Sequence, residues 1–446
     1  MGLNSDLSIN DLERRKFREG ANETDSRVQV DINEFNGDEF PNLTPSVRIP
    51  ALTDMTYRLQ TVETNRLFES TWQYSKVPQF WSERLTGGAT ITTPGQKDRT
   101  YLLFETTAAD GDEALFSSKR FIKYQPFRTH IVTFAAVFQA GATNSVKRIG
   151  QFTNFNGWFF EQSDGLYYIV VRNNVDQPTG TVETRVERSN WNIDKLDGTG
   201  QSGINLNLDN VVTYIIEFVW HGAQGLKFGI QYFDQIYWVH FINHTGVSEI
   251  PFTRTALLPL RAQLINNGAV TGGGSMYLGP VSFNVEGGQE ERGYTYAASG
   301  ETTSRTLSST TWTVLFALRP KATFNGSNNR GYLIPERYTI FPNSEVAYQV
   351  LVDGTTVGGT WIDNGADSIA EYNLTVTDEG TGRVVKSSYG ASATKTSDGV
   401  TDDFERDIFS SLDAINSNQP LEIIVRAKRL GSSSISYASM QWREVY

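Results

Sequence analysis

The chain contains no cysteine. That single absence excludes disulfides, thiolate metal sites and cysteine nucleophiles together. Stability must then come from packing or from assembly. Charge is scarce as well: Asp, Glu, Lys and Arg make up 20% of 446 residues, while aromatics reach 12%. Low charge with many rings places the chain among folded β proteins rather than disordered ones. Positive charge is the scarcer sign, with 39 Lys and Arg against 50 Asp and Glu and a net charge of −11. No global field draws a phosphate backbone, so nucleic acid is not expected as a partner. No apolar run approaches the ~20 residues of a membrane span, so no membrane partner is expected either. The opening Met1-Gly-Leu-Asn-Ser-Asp6 lacks a basic stretch leading into an apolar core, which predicts no signal peptide.

What is abundant is turn chemistry. Thirty-nine glycines and many Thr, Ser and Asn residues fit short strands joined by tight turns. The stretch from Gly150 to Leu208 shows the pattern best: aromatic alternating runs around Trp158 and Tyr167 are punctuated by Asn156-Gly157, Asp164-Gly165 and Gly198-Thr-Gly200. Long strand candidates follow at Arg128–Phe138, Val211–Trp220, Leu226–Tyr232, Tyr237–Ile242, Leu260–Ile265 and Met276–Val285. So many antiparallel strands in about 200 residues predict an all-β fold of the jelly-roll or concanavalin-like sandwich type, because two sheets must cover each other's apolar faces. The predicted organisation is an extended N-terminal arm over 1–50, a connector over 51–84, the sandwich over 85–290 and a second C-terminal β domain over 294–446. In that last domain, Trp312–Leu318, Val346–Val352, Ala370–Val376, Leu421–Ala427 and Ser433–Trp442 read as strands. One helix is expected at Asp402–Leu412, with Phe404, Ile408, Phe409 and Leu412 on one face.

Candidate chemistry is thin. His240 and His244 are four apart, but on a strand that separates them by roughly 13 Å, too far to share an ion. Asp194 and Asp197 follow Trp191 closely, yet two glycosidase carboxyls need ~5 to 9.5 Å across a cleft, which one loop rarely supplies. Asp194, Asp197, Asn205 and Asn207 offer oxygen ligands for calcium, but the spacing of a calcium loop is missing, and capping of backbone amides is the commoner use. Gly198-Thr-Gly-Gln-Ser-Gly203 lacks the Lys-Ser or Lys-Thr of a phosphate loop. The reading is therefore no enzyme, no catalytic residue, no metal and no cofactor. The strongest local charge anomaly is Arg14, Arg15, Lys16 and Arg18 around Phe17, read as an assembly or docking peptide in preference to a nucleic-acid-binding arm. Trp158, Trp191 and Trp238 are the candidates for stacking on glycans.

The text from Gly150-Gln-Phe through Asn156-Gly-Trp-Phe-Phe160 to Trp191-Asn-Ile-Asp-Lys-Leu-Asp-Gly-Thr-Gly-Gln-Ser-Gly203, with Tyr214–Trp220 and His240, resembles a β-sandwich module of tailed-bacteriophage virion proteins. Leu318–Gly326 with Asn329-Arg330, and Ser368–Leu374, are similar to the same group, as is the leader-like Arg14–Glu19. The resemblance implies a non-enzymatic structural component of a virion, of the tail, baseplate or neck fibre. It implies contacts with other phage virion proteins and assembly with itself, as a trimer or larger ring. A carbohydrate-binding receptor adhesin that holds a host surface glycan is the alternative, and a capsid decoration protein a further one.

Overall fold

The computed structural model describes residues 64–446 except 94–99, 127, 175–180, 220–224, 234, 248–250, 288–292, 391–399, 404–408, 414 and 416–418. The predicted arm, and with it Arg14 to Arg18, lies outside the described residues. Residues 52–446 form one compact unit, and within it the described strands build two β-sandwiches. The fold is all-β, of the jelly-roll or concanavalin-like kind, followed by a second β domain.

In the first sandwich, one sheet runs from edge to edge through Val182–Glu187, Leu166–Asn173, Gly157–Ser163, Ser145–Phe152, Leu260–Asn266, Glu113–Ser118 and Trp81–Thr86. The facing sheet runs through Gln235–Ile242, Leu226–Tyr232, Val211–Phe218, His130–Val137, Ser275–Glu286, Leu102–Glu105 and Thr90–Thr92, with Thr64–Ser70 pairing alongside Ser275–Glu286. Neighbouring strands are antiparallel throughout. The period of two explains what each strand does. In Gly157–Ser163, Trp158 and Phe160 join the core between the sheets, while Phe159 and Glu161 face the other way. In Leu260–Asn266, Leu260, Ala262 and Leu264 point inward, leaving Arg261 and Gln263 outside. The core is ring-rich, with Trp81 stacked on Phe116 at 4.7 Å and Phe160 edge-on to Phe228 at 5.3 Å. The expected connector at 51–84 is corrected in its described part: Thr64–Ser70 and Trp81–Thr86 are strands of the two sheets, and Trp72 and Trp81 belong to the core.

The second sandwich pairs Tyr294–Ser299, Ser434–Val445, Tyr332–Pro342 and Val400–Asp403 in one sheet, with Arg305–Leu307 also on Ser434–Val445. Its other sheet orders Trp361–Asp363, Ala370–Asn373, Thr313–Pro320, Glu422–Arg429, Val346–Thr355 and Thr381–Gly390. The helix expected at Asp402–Leu412 is corrected at both ends. Val400–Asp403 pairs with Arg337–Ile340, and Leu412–Asp413 pairs with Gln419–Pro420. At these two ends, strand pairing satisfies the backbone that the apolar spacing had assigned to helix, and residues 404–408 between them lie outside the described residues.

Polar bonds join the sandwiches. Ser82 donates to Asp413 at 2.9 Å, Lys119 to Asp353 at 3.2 Å, Arg120 to the Tyr332 hydroxyl at 2.7 Å and Ser411 to the Lys119 carbonyl at 3.0 Å. Phe80 stacks parallel on Phe409 with centroids 6.5 Å apart.

Candidate functional site

Two surfaces of the first sandwich carry concentrated chemistry. One is the outer face of the seven-stranded sheet, where the residues facing away from the core form a lattice of arginines and rings. Glu161, with no exposed surface, accepts from Arg148 at 2.6 Å and from Arg185. Arg148 also donates to Gln263 at 2.9 Å, and Gln263 passes the chain to Glu113 at 2.5 Å, which accepts from Arg84 at 2.7 Å. Six of the sheet's seven strands are thus laced by one row of charge-assisted bonds. The apolar counterpart is Phe152, Phe159 and Val170. The Arg172 guanidinium lies 5.0 Å from the Phe159 centroid, and that of Arg185 lies 4.3 Å from Tyr168. Gly150 permits this layer: a Cβ there would overlap the Trp158 carbonyl oxygen and Phe159 Cβ.

The second surface is the cleft where this sheet meets the second sandwich. Its inner compartment, about 260 Å³, is lined by Arg84, Phe121, Asn154, Arg261, Asn328 and Arg330 among others. An adjoining compartment of about 560 Å³ shares Phe155, Asn328, Asn329 and Arg330 with it and adds Asn174, Arg254 and Tyr446. Local turns aim these side chains. In the Thr153–Asn156 turn, the Thr153 hydroxyl accepts from the amides of Phe155 and Asn156 at 3.3 and 3.1 Å, which leaves the Phe155 ring 53% exposed. Asn156 Oδ1 accepts from the Asn174 and Arg254 amides at 3.3 and 3.1 Å, tying two more cleft loops to the same turn. From the other side comes a hairpin of Thr323–Phe324 with Ser327–Asn328. Its turn residues Asn325 and Gly326 sit at φ +48° and +74°, the left-handed pair that a type I′ hairpin requires. Asn329 then fixes Arg330: its side-chain amide donates to the carbonyls of Lys321 and Ile369 at 2.9 and 3.1 Å, and its oxygen accepts from the Gly331 amide at 3.0 Å.

The sequence-derived candidates fall elsewhere. Trp158 is fully buried and Trp191 is 3% exposed, both in the sandwich core; neither ring has a face for a sugar, and the stacking role is corrected for both. Trp238 is half-buried, packed over Gly229, and the Lys227 ammonium lies 3.9 Å from its ring centroid. Trp158 and Trp238 lie on strands, and Trp191 follows the one-turn helix Arg188–Asn190; the period of two could not say which face of a strand was inward.

Asp194 caps its own loop, its two oxygens accepting from the Leu196 and Ser202 amides at 2.8 and 2.7 Å. Asp197 accepts from the Thr199 amide at 2.9 Å and from its hydroxyl at 2.6 Å. These hydrogen bonds, led by that to the hydroxyl, hold the Asp197 carboxyl below the usual carboxylate range. Two histidines serve the core. His130 Nε2 accepts from the Gln125 amide at 3.1 Å and His240 Nδ1 from the Asn192 amide at 3.1 Å. Burial pushes their pKa values down to about 3 and about 4. Both are structural.

No protein-family model matches the chain, and no curated protein matches it. Solved structures do. A family 16 glycoside hydrolase from the mixed-linkage glucan locus of Bacteroides ovatus is 12% identical, covering 49% of this chain and 99% of its own, with a TM-score of 0.33. Lectin I-B4 of Griffonia simplicifolia is 11% identical over 49% of this chain and 99% of its own, at 0.29. The CBM2 module of the evolved Dit of Lactobacillus casei BL23 phage J-1 is 8% identical over 51% of this chain and 99% of its own, at 0.32. Glycoside hydrolases recur among these matches, and with that the reading of the chain as no enzyme is corrected: the non-enzymatic assignment is withdrawn.

Proposed function

We propose that the protein is a carbohydrate-binding β-sandwich protein of a bacteriophage particle, which holds a host-surface saccharide in the cleft between its two sandwiches. One observation carries the binding role. The larger compartment brings planar donors and acceptors, Asn174, Asn328, Arg254 and Arg330, together with the exposed rings of Phe155 and Tyr446. Fixed amides and guanidinium groups match the donor and acceptor pattern of ring hydroxyls, and aromatic rings cover the apolar faces that such rings also present. At about 560 Å³ the opening falls within the ~300–1,000 Å³ range of small-ligand sites. The placement on a virion is supported by the resemblance carried by Gly150–Gly203 and Leu318–Gly326. In that setting Arg14 to Arg18 would serve attachment to the particle, in a symmetric homo-oligomer.

A glycan array probed with the whole protein tests the reading, followed by titration of any retained sugar into N328A and F155A. Binding that falls at least tenfold in both variants is expected. No retained glycan, or binding indifferent to both substitutions, would refute it.

A further inference from the structure

Building on the saccharide-binding reading, we propose that the cleft's ligand is anionic, and that Arg254 and Arg330 together hold its carboxylate or phosphate group, backed by Arg261. Arginines gather in the cleft, and of these only Arg84 has an acidic partner among the described residues, Glu113 at 2.7 Å. The residues lining its two compartments include Arg84, Arg254, Arg261 and Arg330 and not one Asp or Glu, in a chain that carries eleven more negative than positive charges. Several arginines on other surfaces are paired with acids: Arg148 with Glu161, Arg172 with Glu183, Arg319 with Glu371. Arg254 and Arg330 make no ion pair among the described residues.

Arg261 is 3% exposed, and its polar partners are neutral, the Ser117 hydroxyl at 3.2 Å and Asn154 Oδ1 at 3.4 Å. The carboxylates whose charge reaches it are already engaged. Glu113 is held by Arg84 and Gln263, and Asp413 accepts from Ser82 at 2.9 Å and from the Ile415 amide at 3.2 Å.

Gathering like charges at a partly dry site costs stability unless something answers them. Burial, and then the neighbouring Arg254, hold the Arg330 guanidinium below its ordinary pKa. A guanidinium pair offers forked donors that fit carboxylate or phosphate oxygens in two-bond geometry. Amides and rings around the pair would supply contacts to the rest of the sugar. In an acidic protein the long-range field repels anions, so selectivity for a charged sugar must come from this local cluster.

The test is calorimetric titration of the full chain at constant ionic strength with three probes: inorganic phosphate, an oligogalacturonate, and the same oligosaccharide with its carboxyls reduced to alcohols. Expected is saturable binding of phosphate or of the oligogalacturonate, with the reduced form at least tenfold weaker. R330Q should weaken the anion by roughly tenfold or more, the worth of a charge-assisted pair. R254E, an exposed position where folding is not at stake, should abolish it. Saturable phosphate binding without affinity for any sugar would uphold the anion site and sink the saccharide reading. A neutral glycan bound through Asn328 and Phe155 with no loss in R330Q or R254E would do the reverse. Absence of saturable binding by both anionic probes overturns the anion site.

Discussion

His130 makes folding sensitive to acid, and the size of the effect follows from its surroundings. The imidazole has no exposed surface, stacks on Phe218 at 5.2 Å and accepts from the Gln125 amide through Nε2. Protonating Nε2 would break that bond and bury a charge between rings. The folded pKa, pushed down to about 3 by burial, lies far below the unfolded value of ~6.5. The unfolded chain therefore binds a proton that the folded chain refuses, and stability falls as pH drops from about 6.5 toward 3. At pH 5 the gap of ~1.5 units corresponds to about 2 kcal/mol lost from this one ring, against a few tenths at pH 7. His240, with a folded pKa of about 4, loses a similar ~2 kcal/mol.

Glu422 works against both: burial raises its folded pKa to about 7, so its penalty is relieved by acid. Only a difference between wild type and variant isolates His130. In H130Q the new side chain keeps an acceptor for the Gln125 amide and removes the titration. Urea unfolding of both proteins at half-unit steps from pH 7.5 to 5, read by tryptophan fluorescence, should show the stability gap between them shrinking by about 2 kcal/mol toward acid. Parallel pH profiles would refute the assignment of a buried neutral imidazole.

Three further outcomes follow from buried polar groups and close packing. Glu422 is 3% exposed, 3.5 Å from Arg319, with one oxygen unpartnered; because its folded pKa is raised, its cost appears as pH rises from about 4.5 to 7, and E422Q should raise the unfolding free energy at pH 8 by about 1–3 kcal/mol and leave it unchanged at pH 4. Glu444 is fully buried and accepts from Ser368, the Ile369 amide and the Trp442 indole at 2.5, 2.7 and 2.9 Å; E444A strands three donors and should cost about 3 kcal/mol or more in chemical denaturation. G150A forces a Cβ against the Trp158 carbonyl and Phe159 and should cost about 1–3 kcal/mol by the same measurement, with R185 and R148 ion pairing at Glu161 disturbed.

Alternation and turn residues along the chain determined most of the secondary structure. The strands Leu226–Tyr232 and Leu260–Asn266 could be read from the period of two, since a half-buried strand must present its apolar residues to one side. The helical spacing read at Asp402–Leu412 misled, because that pattern was local and the partner remote: Val400–Asp403 pairs with Arg337–Ile340. Trp158 and Trp191 were legible as ring-bearing positions, but whether a ring looks into the core or to solvent depends on the second sheet. The cleft was illegible altogether. It joins a turn at Thr153–Asn156 to a hairpin at Thr323–Asn328, some 170 positions later, and to Arg254 between them. Each of those segments, taken alone, is an ordinary polar turn. Sequence thus determined that there would be sheets with one apolar and one polar side. Tertiary structure alone decided which polar sides would face each other, because that depends on docking between distant segments, for which a linear pattern holds no coordinate.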